Sequence, residues 1–195
     1  MGDSFEIIAD VEATETETTA LAATVVRWLI NTDIIAAEAT DCVLGADLGY
    51  GPGPRHALAL AEPDDYLSRL RTNGVTVTTG RTAFHPVQGE LGPVVCPRCD
   101  QTMLLEDAGT GATTKQWEVF SDAIGSWHNG GPGDVACASC GQVGLLNDWR
   151  WIGDWPFAFG FLGFTFWNWP RLSDAFVAQV AERLRHRVVV TRGKL

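Results

Sequence analysis

Basic residues are scarce in this chain: fourteen Lys and Arg stand against twenty-four Asp and Glu, a formal charge of -10 over 195 residues. The summed field repels phosphate backbones and anionic lipid surfaces, so nucleic acid and membrane are not expected partners. Long apolar runs are missing too. The richest stretch, Phe157 to Trp169, is 13 residues long and is broken by Thr165 and Asn168, short of the roughly 18 residues that a membrane helix needs. The first ten residues carry Asp3, Glu6 and Asp10 and lead into no apolar segment behind a basic start, so no secretion signal is read and a cytoplasmic location is expected.

Catalytic signatures are also lacking. No GxSxG, HExxH or strand-to-helix GxGxxG occurs, and these are the arrangements that seat a nucleophile, a catalytic zinc or a dinucleotide. Gly109 to Lys115 superficially resembles a phosphate loop but has no glycine directly before the lysine and no Ser or Thr after it. His56, His85, His128 and His186 are scattered at no triad spacing. Whether the chain is an enzyme is left open, with the balance against. There is no internal repeat of 20–50 residues and no low-complexity tract.

What is present suffices for a core. At 46% hydrophobic and 19% charged residues, the composition is that of a folded domain with room for a small insertion. Phe5 to Val11 reads as a strand. Thr14 and Glu17 then form a capping box for a helix whose stripe is Leu21, Val25, Trp28 and Leu29. Cys42, Val43 and Leu44 suggest a second strand, with Cys42 as a small core residue. Residues 45–56 hold four glycines and two prolines, which predicts a shaped loop. A short helix carrying Tyr66, Leu67 and Leu70 and a strand at Val75 to Thr79 follow. Near the C-terminus, Ser173 caps a helix striped by Phe176, Val177, Val180 and Leu184, and Val188 to Val190 form a last strand. The first twenty residues hold no base and residues 183–195 no acid, so the two ends could complement each other in space.

Five cysteines are present, and four fall in two pairs, Cys96-Pro-Arg-Cys99 and Cys137-Ala-Ser-Cys140-Gly141. Each pair offers two thiolates at a spacing that a tetrahedral Zn²⁺ accepts, and four sulfurs leave no place for water. One structural zinc held by Cys96, Cys99, Cys137 and Cys140 is therefore expected, with two disulfides or a redox-active CxxC as the alternatives. Over residues 94–147 these motifs resemble zinc-ribbon proteins. The 37 residues between Cys99 and Cys137 exceed the usual ribbon spacing of about 15–20, and a helix around Trp117 and Phe120 fills part of the excess.

Ten aromatic residues crowd positions 149–169. Phe157, Phe159 and Phe161 alternate as one face of a strand, and Gly163 permits a bulge after which Phe164 and Phe166 take the opposite phase. The order of this strand, Phe166-Trp-Asn-Trp-Pro170, a helix and a basic final strand is similar to that of a group of uncharacterised bacterial proteins, some labelled as transporter ATPases. The phosphate loop such a label requires is missing here, so the resemblance implies no activity.

These features predict an α+β fold. Its mixed sheet comprises residues 5–11, 40–44, 75–79, 156–166 and 187–191, with three flanking helices and the Cys₄ module inserted after the third strand. The core domain is then 1–93 plus 148–195, and the inserted module 94–147. The expected function is non-catalytic protein interaction, as an adaptor or an immunity-type inhibitor of a basic partner, whose charge would speed association. The rival reading is a small-molecule or carbohydrate-binding protein, or an enzyme. Its site would lie between the 45–56 loop, with Tyr50, Arg55 and His56, and the tryptophans Trp149, Trp151, Trp155, Trp167 and Trp169.

Overall fold

A computed structural model describes residues 2–62, 67–87, 91–107, 109–153 and 156–195. The main sheet contains β1 (Ser4–Asp10), β2 (Ile35–Thr40), β3 (Gly49–Pro52), β4 (Val75–Phe84), β10 (Ala158–Trp167) and β11 (Val188–Lys194), in the spatial order β11-β1-β10-β4-β3-β2. Two helices, α1 (Thr18–Asn31) and α3 (Asp174–Leu184), pack on it. Between β4 and β10 lie the short strands β5 (Val94–Val95), β6 (Thr102–Met103), β7 (Asp134–Ala136), β8 (Val143–Leu145) and β9 (Arg150–Trp151), with α2 (Lys115–His128) among them. The class is α+β. Every pairing is antiparallel, because β10 and β11 occupy both sides of β1 and the α1 connection carries the chain to the far edge. The expected mixed sheet thus narrows to an antiparallel one.

The helices form where apolar residues recur at helical spacing. In α1 the buried set is Ala22, Val25 and Leu29, with Leu21 and Trp28 half-buried beside them. The Thr14–Glu17 pair acts one turn earlier than expected: Glu17 accepts from the Thr14 amide at 3.1 Å and hydroxyl at 2.5 Å. Those bonds, hydroxyl first, hold the Glu17 carboxyl below its ordinary range. In α3 the Ser173 hydroxyl accepts from the Phe176 amide, Phe176, Val180 and Leu184 are buried, and left-handed Arg185 ends the helix. Trp28 stacks on Phe176 at 5.8 Å and carries the Arg183 guanidinium on its face at 3.7 Å, joining the two helices.

Four expectations change. The second strand lies at Ile35–Thr40 rather than 40–44, and Cys42 to Leu44 form turns. The 45–56 segment contains strand β3. Glycines here serve close packing. A Cβ on Gly49 would strike the Val43 side chain at 2.3 Å, and one on Gly74 would strike the Cys42 sulfur at 2.3 Å. The described part of the expected short helix at 62–70 is a 3₁₀ turn at Leu67–Arg69, and residues 63–66, Tyr66 among them, lie outside the described residues.

The fourth change concerns β10. Phe159 and Phe161 pack toward the Cys module while Leu162, Phe164 and Phe166 enter the main core, odd against even as unbroken period-two alternation gives, so Gly163 carries no bulge and β10 needs no change of phase. The irregularity falls between Gly160 and Leu162, where Gly80 and Arg81 of β4 together face Phe161. Gly80 has φ +100°, a backbone state that costs glycine little. Gly163 has a different task, since a Cβ there would meet the Phe84 ring at 2.4 Å.

The chain ends do complement each other, through β1 and β11. Buried Glu6 takes Arg192 at 2.8 Å and the Leu172 amide at 2.9 Å. Buried Asp10 takes His186 at 2.9 Å together with the Glu12 and Ala13 amides. Removing Arg192 leaves a carboxylate stranded in the sheet. Arg192→Ala should cost about 2–4 kcal/mol in denaturant unfolding, somewhat less than a fully buried pair because Arg192 keeps part of its side chain in water. A loss below about 0.5 kcal/mol, the size of an exposed pair, would contradict this reading.

Candidate metal centre

The two CxxC motifs fold as equivalent hairpin tips. β5 leads to Cys96 and β6 leaves after Gln101, with Val95 opposite Thr102. β7 leads to Cys137 and β8 leaves after Gln142, with Ala136 opposite Val143. In both, the first cysteine's amide donates to the glutamine carbonyl at 3.0 Å, and its own carbonyl accepts from the residue after the second cysteine. That residue is Asp100 at φ 55° in one tip and Gly141 at φ 70° in the other. The left-handed turn lets the amides of Arg98 and Ser139 approach Cys96 and Cys137 Sγ at 3.3 and 3.4 Å. The pair thus makes a two-hairpin ribbon, with α2 accommodated in the long spacer.

The sulfurs converge. All four lie within 4.8 Å of one another, with Cys96 to Cys140 at 4.0 Å and Cys99 to Cys137 at 3.8 Å. Four sulfurs each about 2.3 Å from a central ion have tetrahedral edges of about 3.8 Å, so the set fits a tetrahedral metal. All four are free thiols; bonded sulfurs would lie about 2.0 Å apart. The Gln101 backbone amide favours the Cys99 thiolate, but burial and the sulfurs of Cys140, Cys96 and Cys137 outweigh it and push the thiol up to about 12. Thiolates this close repel one another unless a cation lies between them, and binding a cation expels their protons. A soft divalent ion suits this donor set.

The hairpins are anchored by residues that motif reading overlooks. Buried Gln116 on α2 donates to the Ala136 carbonyl and accepts from the Ala138 amide, gripping the second knuckle on both sides. Phe120 meets Trp149 edge-on at 5.0 Å under the tips. Arg150–Trp151 pairs with Val94–Val95, so the module's own sheet extends past residue 147. Asn147 clasps β10, donating to the Phe159 carbonyl at 2.6 Å and accepting from its amide at 2.9 Å. Arg81, turned out of β4 at the irregularity, donates to the Trp127 and Gly131 carbonyls at the end of α2, with its guanidinium over the Trp127 ring at 4.5 Å. A cation at a helix C-terminus also complements the macrodipole.

The remaining candidates are distributed over the fold. Trp149 is buried and Trp151 half-buried in the module's core, where Trp151 stacks on Phe157 at 4.7 Å. Trp169 is buried in the main core, donates to the Asn73 carbonyl and meets the His56 ring at 6.2 Å. Trp167 packs on Phe5 in a separate cluster. Tyr50 lies beside α1 in an apolar groove with Val26 and Leu48, and Arg55 is exposed. Trp155 lies outside the described residues. Among the described residues, His56 and Trp169 are the pair of rings from the loop and tryptophan sets that meet. His128, at the end of α2, is exposed and outside the sulfur cluster.

No protein-family model matches the chain, and no curated protein or solved structure shows significant similarity to it.

Strands of two or three residues need an outside tie to persist in water, which makes metal binding and local folding one process. Cys137→Ser should therefore lose amide protection over residues 94–151 while β1, β10 and β11 keep theirs. Hydrogen exchange separates the outcomes. Uniform loss across the main sheet, or none in the hairpins, would contradict a local structural site.

Proposed function

We propose that the chain is a zinc-stabilised, non-catalytic interaction protein that binds one Zn²⁺ through Cys96, Cys99, Cys137 and Cys140. The observation that carries this reading is the closed set of four sulfurs at tetrahedral spacing. Such a site leaves no coordination position for water or substrate, so the metal holds shape and does no chemistry. The 94–147 segment is then a metal module set into a core of 1–93 and 148–195, with β9 tying its edge. Reduced thiols suit a cytoplasmic location. Among the described residues no helix is long and apolar enough to cross a membrane.

The hairpins support an interaction role. Leu104, Val143 and Leu145 are 56%, 48% and 47% exposed, unusual for large apolar side chains grouped on one small module. Leu104 and Leu145 follow the two knuckles at equivalent places. With a chain charge of -10, the favoured partner is a basic protein, drawn in by the field and seated on these residues. An adaptor and an immunity-type inhibitor both meet that description.

Elemental analysis of purified protein should give one zinc per chain; less than half an equivalent would contradict the metal assignment. Capture from the native host should return a basic protein at equal stoichiometry, released by raised salt and lost in the double variant Val143→Glu, Leu145→Glu. A bound metabolite with no protein partner would overturn the interaction reading.

A further inference from the structure

We propose that the groove between α2 and the end of β4 is a binding site for a small planar aromatic carboxylate. The groove has a volume of about 640 Å³, within the range of roughly 300–1,000 Å³ for small-molecule sites. One wall is a single stripe of α2, with Trp117, Ser121 and His128 at helical spacing; the other holds Arg81, His85 and Phe157. Trp117 stands edge-on to Phe157 at 6.0 Å, and His85 stacks flat on Phe157 at 5.4 Å and 15°. Trp151 also stacks on Phe157, at 4.7 Å and 20°, so these rings pack on one another and give the groove an aromatic wall against which a flat ring can rest.

Arg81 is the one permanently charged residue lining the groove among the described residues. In a chain with ten more acids than bases, the charged and titratable residues lining this groove are Arg81, His85 and His128, and no carboxylate lines it among the described residues. Arg81 is held in place: Nη1 is fixed by the Trp127 and Gly131 carbonyls, and its planar group lies over Trp127 at 4.5 Å and Phe161 at 5.1 Å. Carbonyls orient the guanidinium without neutralising it, and among the described ion pairs none involves Arg81. A fixed, uncompensated guanidinium is suited to a carboxylate. The Ser121 hydroxyl adds a donor at the rim. This site is separate from the sulfur centre and does not depend on the interaction reading.

The test uses the full, metal-loaded chain titrated with naphthalene-2-carboxylate, followed by calorimetry and by amide and indole chemical shifts. Saturable binding that shifts the Trp117 indole is expected, with the neutral isostere 2-naphthalenemethanol weaker by about tenfold or more, since it forfeits the charge-assisted contact. Arg81→Met should abolish binding. Because Arg81 also clasps α2, Ser121→Trp supplies a second variant: it fills the groove from an exposed helix position and should abolish binding while leaving the metal content at one per chain. The proposal is overturned by equal affinity for the neutral isostere, by undiminished binding in Ser121→Trp, or by no saturable response at millimolar probe. Shifts caused by inorganic phosphate alone, with none from the naphthoate, would also overturn it.

Discussion

Four sulfur atoms within 4.8 Å of one another are the constraint on which residues 94–151 depend. Hairpins with strands of two and three residues bury little apolar area and cannot offset the entropy of ordering their backbones. A shared cation would change that balance by converting thiolate repulsion into attraction and linking two segments 37 residues apart in sequence. Once the tips are joined, Gln116, Phe120 and Trp149 have a fixed surface to pack against, and α2 gains a defined position. The groove beside α2 exists only because of that position.

The main sheet has an independent basis. Its core joins α1 and α3 to even-numbered residues of β10, and edge strand β11 is tied to β1 by Glu6–Arg192, with Asp10–His186 just ahead of β11. Two clasps couple the units. Asn147 substitutes a side-chain amide for a neighbouring strand at Phe159, and Arg81 reaches from the β4 irregularity to the end of α2. The extra β4 residue opposite Phe161 falls where Arg81 turns toward the module, while plain period-two alternation lets β10 serve both cores.

Where a local pattern determines structure, the sequence was legible. The Ser173 cap and apolar stripe placed α3 within a residue, the two CxxC pairs identified the sulfur cluster, and the opposed charges of the ends anticipated the β1–β11 pairing. Legibility failed where tertiary packing decides. Gly49 and Gly74 look like loop glycines, yet they are small because Val43 and Cys42 lie against them. A single Arg81 in a strand carries no sign that it will cap a helix 46 residues later. The groove is assembled from α2, β4 and Phe157, which no window of the sequence holds together. One overlooked signal was available: Cys-Pro-Arg-Cys-Asp-Gln and Cys-Ala-Ser-Cys-Gly-Gln share a terminal glutamine, and its carbonyl closes each tip.

X-ray absorption at the zinc edge of the purified protein tests the central claim most directly, because it reads the donor atoms and their distances without any substitution. A single shell of four sulfurs at about 2.3 Å is expected. A nitrogen or oxygen donor near 2.0–2.1 Å, or a sulfur count of two, would show that the four cysteines do not close the site.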